Sequence, residues 1–178
     1  MWVNEGEELG SDVDADNNGY KGDKYGYNFA TDRGYISTTG SNDTGHGTHV
    51  AGTIAAVNNN GIGVCGVAGG SGNGDGVRLM SCQIMEGGVS SSVYSAANAF
   101  VYAADNGAHI AQCSFGYSTT AYKSDYDYFA AYGVEYWAIQ YFLDKERFKE
   151  METKMGRKSP IDGPLVIFAS GNDGVDKS

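Results

Sequence analysis

One stretch limits the possible folds more than any other: Asp43-Thr44-Gly45-His46-Gly47-Thr48-His49-Val50-Ala51-Gly52-Thr53-Ile54-Ala55-Ala56. Val50, Thr53, Ile54 and Val57 recur at i, i+3, i+4 and i+7, which predicts a helix with one buried face. Ala51, Gly52, Ala55 and Ala56 are small enough for other backbone to come close. Asp43 and Thr44 read as caps, and Asn58-Asn59-Asn60-Gly61 ends the helix with residues that accept a left-handed conformation. His46 then falls in the first turn. The partial positive charge there disfavours imidazolium and favours a neutral ring that accepts a proton. Gly45 and Gly47 leave room beside it for a substrate or a second side chain. His46 and His49 also admit two other readings, a core helix with satisfied imidazoles or a zinc pair. For zinc, only His109 remains as a further histidine, and no acidic third ligand stands at motif spacing.

Composition narrows the classes. The 178 residues suffice for one domain with a core. A net charge of −10 argues against nucleic acid as a partner. No apolar run approaches the ~20 residues that span a bilayer. Met1 to Glu5 lacks the basic and apolar regions of a signal peptide, so none is expected in this chain. Cys65, Cys82 and Cys113 are odd in number and read as structural, Cys82 and Cys113 as small buried hydrophobes within strands.

Asp14-Ala15-Asp16-Asn17-Asn18-Gly19-Tyr20 follows the spacing of a calcium loop. Oxygens at alternating positions wrap a hard cation, the glycine gives the sharp turn, and the next residue offers its carbonyl. The expected Ca2+ ligands are the side chains of Asp14, Asp16, Asn18 and Asp23 and the backbone of Tyr20. The closing Glu of an EF-hand is absent, Tyr25 standing in its place, and a solvated acidic turn is the plainer alternative.

Further along, Tyr25 to Phe29 predicts a short strand and residues 69–76 a surface loop. Val77–Met85 predicts a buried strand, Glu86 to Val89 a turn, and Ser90 to Ser92 the cap of a helix that ends at Asn106-Gly107. His109–Ser114 is a second strand, so strand, helix and strand read as a parallel βαβ unit. Tyr126 to Lys145 predicts a helix with Val134, Trp137, Ala138, Tyr141 and Phe142 on one face. Between Lys145 and Lys158, six of the chain's 12 basic residues alternate with acids, as on a solvated helical face. Residues 164–169 predict another buried strand, running into Ser170-Gly171-Asn172-Asp173-Gly174.

Gly45-His46-Gly47-Thr48-His49-Val50-Ala51-Gly52 resembles the histidine motif of the subtilisin-like serine proteases, the subtilases. The turn 16–20, Gly26-Tyr27-Asn28-Phe29 and Gly61 to Ala68 continue the likeness. The resemblance implies an α/β fold, a three-layer sandwich with a mainly parallel sheet, and serine endopeptidase activity on polypeptide substrates. It makes His46 the catalytic base, His49 a buried structural residue and Asn172 the oxyanion donor. It makes Ser114, Phe115 and Gly116 a wall of the specificity pocket, with Gly87 and Gly88 also at the substrate. It implies a second calcium near Asn59 or Asn60 and an extracellular or cell-surface location. A non-catalytic, calcium-stabilised module that binds peptides or partners is the alternative.

Two family elements are not found: a strand ending Asp-Thr/Ser-Gly before His46, and a Gly-Thr-Ser-Met-Ala segment after Asn172. The expectation is a subtilase domain over residues 1–178 that is truncated at both ends, inactive by itself and partnered by the remainder of the peptidase domain. The absent strand belongs between Val77–Met85 and His109–Ser114, leaving a gap about 10 Å wide. Either those strands pair directly, or another segment such as a strand from residues 1–24 fills the gap, or the piece is not stable alone, since buried unpaired backbone groups cost about 1–3 kcal/mol each.

Overall fold

The structure is a computed structural model that describes residues 1–38, 44–87, 92–116 and 124–172, and of Asp125 and Tyr128 only the backbone. It divides into two units, Met1–Ser91 and Ser92–Ser178.

The first unit holds β1 (Gly26–Asn28), α1 (His46–Ala55) and β2 (Ser81–Gln83). β1 and β2 pair in parallel, Gly26 opposite Ser81 and Asn28 opposite Gln83. Gly26 is required there: its φ is 126°, and an added Cβ would stand 1.9 Å from the Ser81 carbonyl oxygen. The amino-terminal segment closes over this pair, with Trp2 N–H donating to Leu79 O at 2.8 Å and Asn4 N–H to Lys24 O at 2.9 Å. Tyr27 is buried and meets Tyr20 and Phe29 edge-on, at ring distances of 4.9 and 5.3 Å. Past the strand ends, buried Asn28 donates to Glu86 at 2.6 Å, and Thr31 and Arg33 donate to the same carboxylate. Together they hold that carboxyl down to a pKa of about 2, the Arg33 guanidinium contributing most.

The second unit holds α2 (Val93–Asp105), β3 (Ile110–Cys113), α3 (Asp125–Phe142), α4 (Lys145–Met155) and β4 (Leu165–Phe168). Ser92 caps α2 through its hydroxyl, which accepts from Ser95 N–H at 3.0 Å. Ala96, Ala97, Phe100, Tyr102 and Ala104 bury one side of α2. Phe100 meets Phe142 of α3 at 6.2 Å and Phe168 of β4 at 6.4 Å. Arg147 ties two helix ends together, donating to Ala104 O at 2.5 Å and to Phe142 O at 3.1 Å. A cation suits those carbonyls, which carry the negative end of each helix. β3 and β4 are parallel, with Cys113 opposite Phe168.

The α/β class with parallel strands is therefore present, but several expectations need correction. Val77–Met85 contributes only Ser81–Gln83 as strand, half-buried, and it pairs with β1. The expected βαβ unit of residues 77–114 does not form one ladder: among the described residues, the ladders join β1 to β2 and β3 to β4. Direct pairing across the expected gap and a filling strand from residues 1–24 are both absent among the described residues. β4 is not buried, since Leu165, Ile167 and Phe168 are each about half exposed. Its apolar run carries the pattern of a covered strand, but the described residues leave these three side chains uncovered to that extent.

Similarly, α1 has no buried residue, although a face was expected at Val50, Thr53, Ile54 and Val57. The backbone that does approach comes from the following loop: Val67 N–H donates to Thr53 O and Ala68 N–H to Ile54 O, with Gly66 and Gly69 lying against Ala55 and Ala56. The helix begins after Gly45 in the left-handed conformation rather than on a Thr44 cap, and Asp43 lies outside the described residues. At its far end Asn59 and Gly61 are left-handed, as their types favour. α3 ends at Phe142, short of Lys145, and buries Glu135, Ala138 and Phe142 while Val134, Trp137 and Tyr141 stay exposed. Apolar residues surround this helix, so periodicity alone could not choose its inner face. Of the cysteines, Cys113 is buried, with burial pushing its thiol up to about 12, Cys82 is half-buried and Cys65 is exposed.

Candidate active site and acidic loop

His46 is the first residue of α1 and is exposed. Added Cβ atoms at Gly45 and Gly47 would meet nothing within 4 Å, so the backbone on either side of His46 is uncrowded among the described residues. His49 is exposed as well, which corrects its reading as a buried structural residue. Among the described residues nothing lies within 4 Å of a Cβ added at Gly52, which is equally open.

In the second unit the parallel ladder brings two predicted elements to one end of a sheet. Ser114-Phe115-Gly116 leaves the carboxyl end of β3, and Ala169 to Asn172 leaves that of β4. Ala169 N–H donates to Cys113 O at 3.0 Å, so the two exits are side by side. Ligands of parallel α/β sheets bind outside this end of the strands. Gly116 is open to an approaching chain, the Ser114 hydroxyl is engaged with the Gln112 amide, and Phe115 stacks edge-on with Phe168 at 6.1 Å. Asn172 is exposed, and its side chain makes no hydrogen bond among the described residues. Gly87 has a φ of 50° in the turn after β2, whereas Gly88 lies outside the described residues. His46, Gly87 and Gly88 fall in the first unit, and Ser114, Phe115, Gly116 and Asn172 in the second.

The acidic loop is organised by a residue that sequence reasoning missed. Glu7 is 1% exposed. One of its oxygens accepts from the backbone N–H of Ala15 at 2.5 Å and of Asp16 at 3.2 Å, the other from Gly22 N–H at 3.1 Å. Asp14 accepts from the N–H groups of Asn18 and Gly19, closing the turn. Asp16 and Asp23 share two amides: Asn4 Nδ2 donates to both at 3.0 Å, and Asn18 Nδ2 donates at 3.2 and 3.0 Å. Oxygens of Glu7, Asp14 and Asp16 lie within 4.8 Å of one another. Calcium binds oxygen at about 2.3–2.6 Å, so two ligands across the ion stand about 4.6–5.2 Å apart, and the spacing fits that ion. Asp23 is fully buried, the Asn18 side-chain carbonyl accepts from Tyr20 N–H at 2.7 Å, and neither belongs to that three-carboxylate group. Glu7 has no place in the D-x-D-x-N-G spacing. The only sequence signal for it is an acidic residue shortly before an acidic turn.

Near the second predicted calcium position, Asn59 Nδ2 donates to Ser71 O at 2.9 Å and the Asn60 side chain accepts from Ile62 N–H at 2.9 Å.

Comparison with known proteins agrees with these motifs. The profile described as the Subtilase family matches residues 11–178. Subtilisin Savinase of Lederbergia lenta is 46% identical over 72 residues, 40% of this chain and 24% of its own length. Subtilisin-like protease 1 of Plasmodium berghei is 31% identical over 139 residues, 75% of this chain and 21% of its own length. Thermitase of Thermoactinomyces vulgaris is 35% identical over 79 residues, 44% of this chain and 26% of its own length. The matched segments thus span about a quarter or less of these relatives. A match that runs from the acidic loop past Asn172 takes in both the histidine motif and the strand ends described above, and the chain belongs to the subtilase family.

Proposed function

We propose that this chain carries the general base and an oxyanion donor of a serine endopeptidase. The observation that carries the reading is His46, exposed between two open glycines at the start of a helix whose sequence is the family's histidine motif. In this reading His46 takes the proton of an attacking serine hydroxyl, and Asn172 donates to the oxyanion of the tetrahedral intermediate. Ser114 to Gly116 offers an extended edge to which a substrate peptide adds as a strand, and Gly87 and Gly88 are further substrate-binding residues. The acidic loop holds calcium through Glu7, Asp14 and Asp16, with Asn18, Tyr20 and Asp23 as further ligands from the loop spacing. Such an ion would neutralise carboxylates in a loop where Asp16 and Asp23 already share the amides of Asn4 and Asn18. The location is extracellular or cell-surface, and among the described residues no helix is long and apolar enough to cross a membrane.

The chain does not work alone. None of its serines occupies the family's nucleophile segment, and apolar side chains at Ile62, Val64, Leu165 and Ile167 are half exposed or more. Such surface is what the remainder of a peptidase domain would cover. The test is casein hydrolysis. The isolated chain is expected to show none, and a chain extended to the full peptidase domain is expected to be active. In the extended chain, His46→Ala abolishes hydrolysis. Asn172→Ala lowers kcat about 10²–10³-fold, a magnitude taken from a subtilisin rather than from this geometry. Hydrolysis that survives His46→Ala refutes the assignment. An extended chain that binds peptides but never cleaves them establishes the non-catalytic module instead.

A further inference from the structure

Glycine follows asparagine at Asn18, Asn60, Asn73 and Asn106. In such a pair the glycine nitrogen can attack the side-chain amide carbon, because no Cβ shields its approach. The nitrogen loses its proton to solvent base and bonds to Cγ. The Cγ–Nδ2 bond breaks and ammonia leaves. Water then opens the succinimide ring to aspartate or isoaspartate. The reaction requires a glycine N–H that is not held elsewhere and a side-chain amide free to turn.

The fold treats these pairs differently. Asn18 Nδ2 donates to Asp16 and Asp23, and Gly19 N–H donates to Asp14 at 2.9 Å, so nucleophile and leaving group are both held. Just past α2, Asn106 Nδ2 donates to Tyr102 O and Gly107 N–H to Ala104 O, each at 3.0 Å. Asn73 Nδ2 donates to Ser71 Oγ at 2.9 Å. At Asn60 and Gly61, both exposed, neither the side-chain nitrogen nor the glycine N–H makes a hydrogen bond among the described residues. A Cβ added at Gly61 would meet nothing within 4 Å, so water and base reach its nitrogen. The bond that the Asn60 side chain does make favours the reaction: Oδ1 accepts from Ile62 N–H at 2.9 Å. It folds the amide back over its own following peptide. The same N–H stands ready for the negative charge that grows on Oδ1 as the Gly61 nitrogen attacks.

We propose that Asn60-Gly61 is a self-modification site, where the chain cyclises to a succinimide and becomes aspartate or isoaspartate. The product places a carboxylate just beyond the carboxyl end of α1, beside the negative pole of that helix. Isoaspartate also adds a carbon to the backbone of the turn. That turn leads into Gly66 to Ala68, whose N–H groups donate to Ala56 O, Thr53 O and Ile54 O. The modification therefore falls at the far end of the helix that begins with His46.

The test is peptide mapping by mass spectrometry of the 178-residue chain aged in mildly alkaline buffer, beside a sample aged in urea. Isoaspartate is separated from aspartate by chromatography. In urea the pairs at Asn18, Asn60, Asn73 and Asn106 are expected to react at similar rates, since the fold no longer separates them. In buffer Asn60 is expected to react first, about tenfold or more ahead of Asn18 and Asn106, whose hydrogen bonds must break beforehand. Asn60→Gln is expected to remove that product and leave the other pairs unchanged. The proposal is overturned if Asn73 is converted before Asn60, if all these pairs react alike in buffer, or if Asn60 remains intact while its urea-aged counterpart is converted.

Discussion

Replacing Glu7 by Gln separates two roles for the acidic loop. In the folded chain Glu7 is an acceptor only, and its two oxygens meet three backbone N–H groups. An amide keeps one oxygen for Ala15 and Asp16 and turns a donor toward Gly22 N–H, which retains Val13 O at 3.2 Å as acceptor. A lost hydrogen bond to a charged group is worth about 1.5–3 kcal/mol, and Glu7→Gln should cost about that much. The loss should be complete in EDTA, because no metal takes part in these bonds. Asp16→Ala should behave in the opposite way. Asp16 is exposed and its partners can turn to water, so in EDTA the change costs at most about 1 kcal/mol. At a calcium concentration about 100 times the Kd, the wild type gains about 2.7 kcal/mol and the variant forfeits that gain. Urea unfolding of both variants, with and without calcium, reads all four numbers. If Glu7→Gln in EDTA lies within about 0.5 kcal/mol of wild type, the backbone-nest reading is wrong.

Two further outcomes are expected besides those stated with the proposed function. Gly26→Ala should cost about 2–4 kcal/mol in urea unfolding, because its φ of 126° is strained for alanine and the Ser81 carbonyl occupies the Cβ position; near wild-type stability would show that β1 and β2 do not pair in this register. The Glu86 carboxyl is held at about 2, below the value of 4.5 ordinary for a glutamate, so its contribution is fully present above about 4.5 and is lost as pH falls toward 2. Glu86→Gln should flatten that part of the acid melting profile, and an unchanged acid limb would refute the Arg33–Glu86 clamp.

What could be read from sequence was what local chemistry decides. The Ser92 cap, the left-handed Asn59 and Gly61, and the short strand within Tyr25 to Phe29 all follow from single residues acting on adjacent backbone. The histidine motif placed His46 at a helix start for the same reason. Burial was less legible, because it depends on what lies opposite. Val50 and Ile54 carry a core pattern, and Leu165 to Phe168 a buried-strand composition, yet their own units leave them partly or largely open. Glu7 was illegible for another reason. Its partners lie 8 to 15 residues away, beyond any fixed spacing, and a buried carboxylate is invisible in a stretch that is acidic throughout.

The two ladders share a span that bears on how the chain assembles: partners are 55 residues apart in both, 26 with 81 and 110 with 165. Closing such a span costs about 3.5 kcal/mol of chain entropy beyond a constant term, about as much as a ladder of three or four residues returns. In the second unit the intervening chain packs on the helix just before the span, since α3 packs on α2 and Arg147 locks their ends. In the first unit the intervening helix buries nothing, and the compensating contacts come from outside the span, where Trp2 holds Leu79 and Asn4 holds Lys24. The amino-terminal acidic loop is thus a latch that acts late. The second unit can form around its helices, while the first waits for its two distant strands and its own amino terminus to meet in one event.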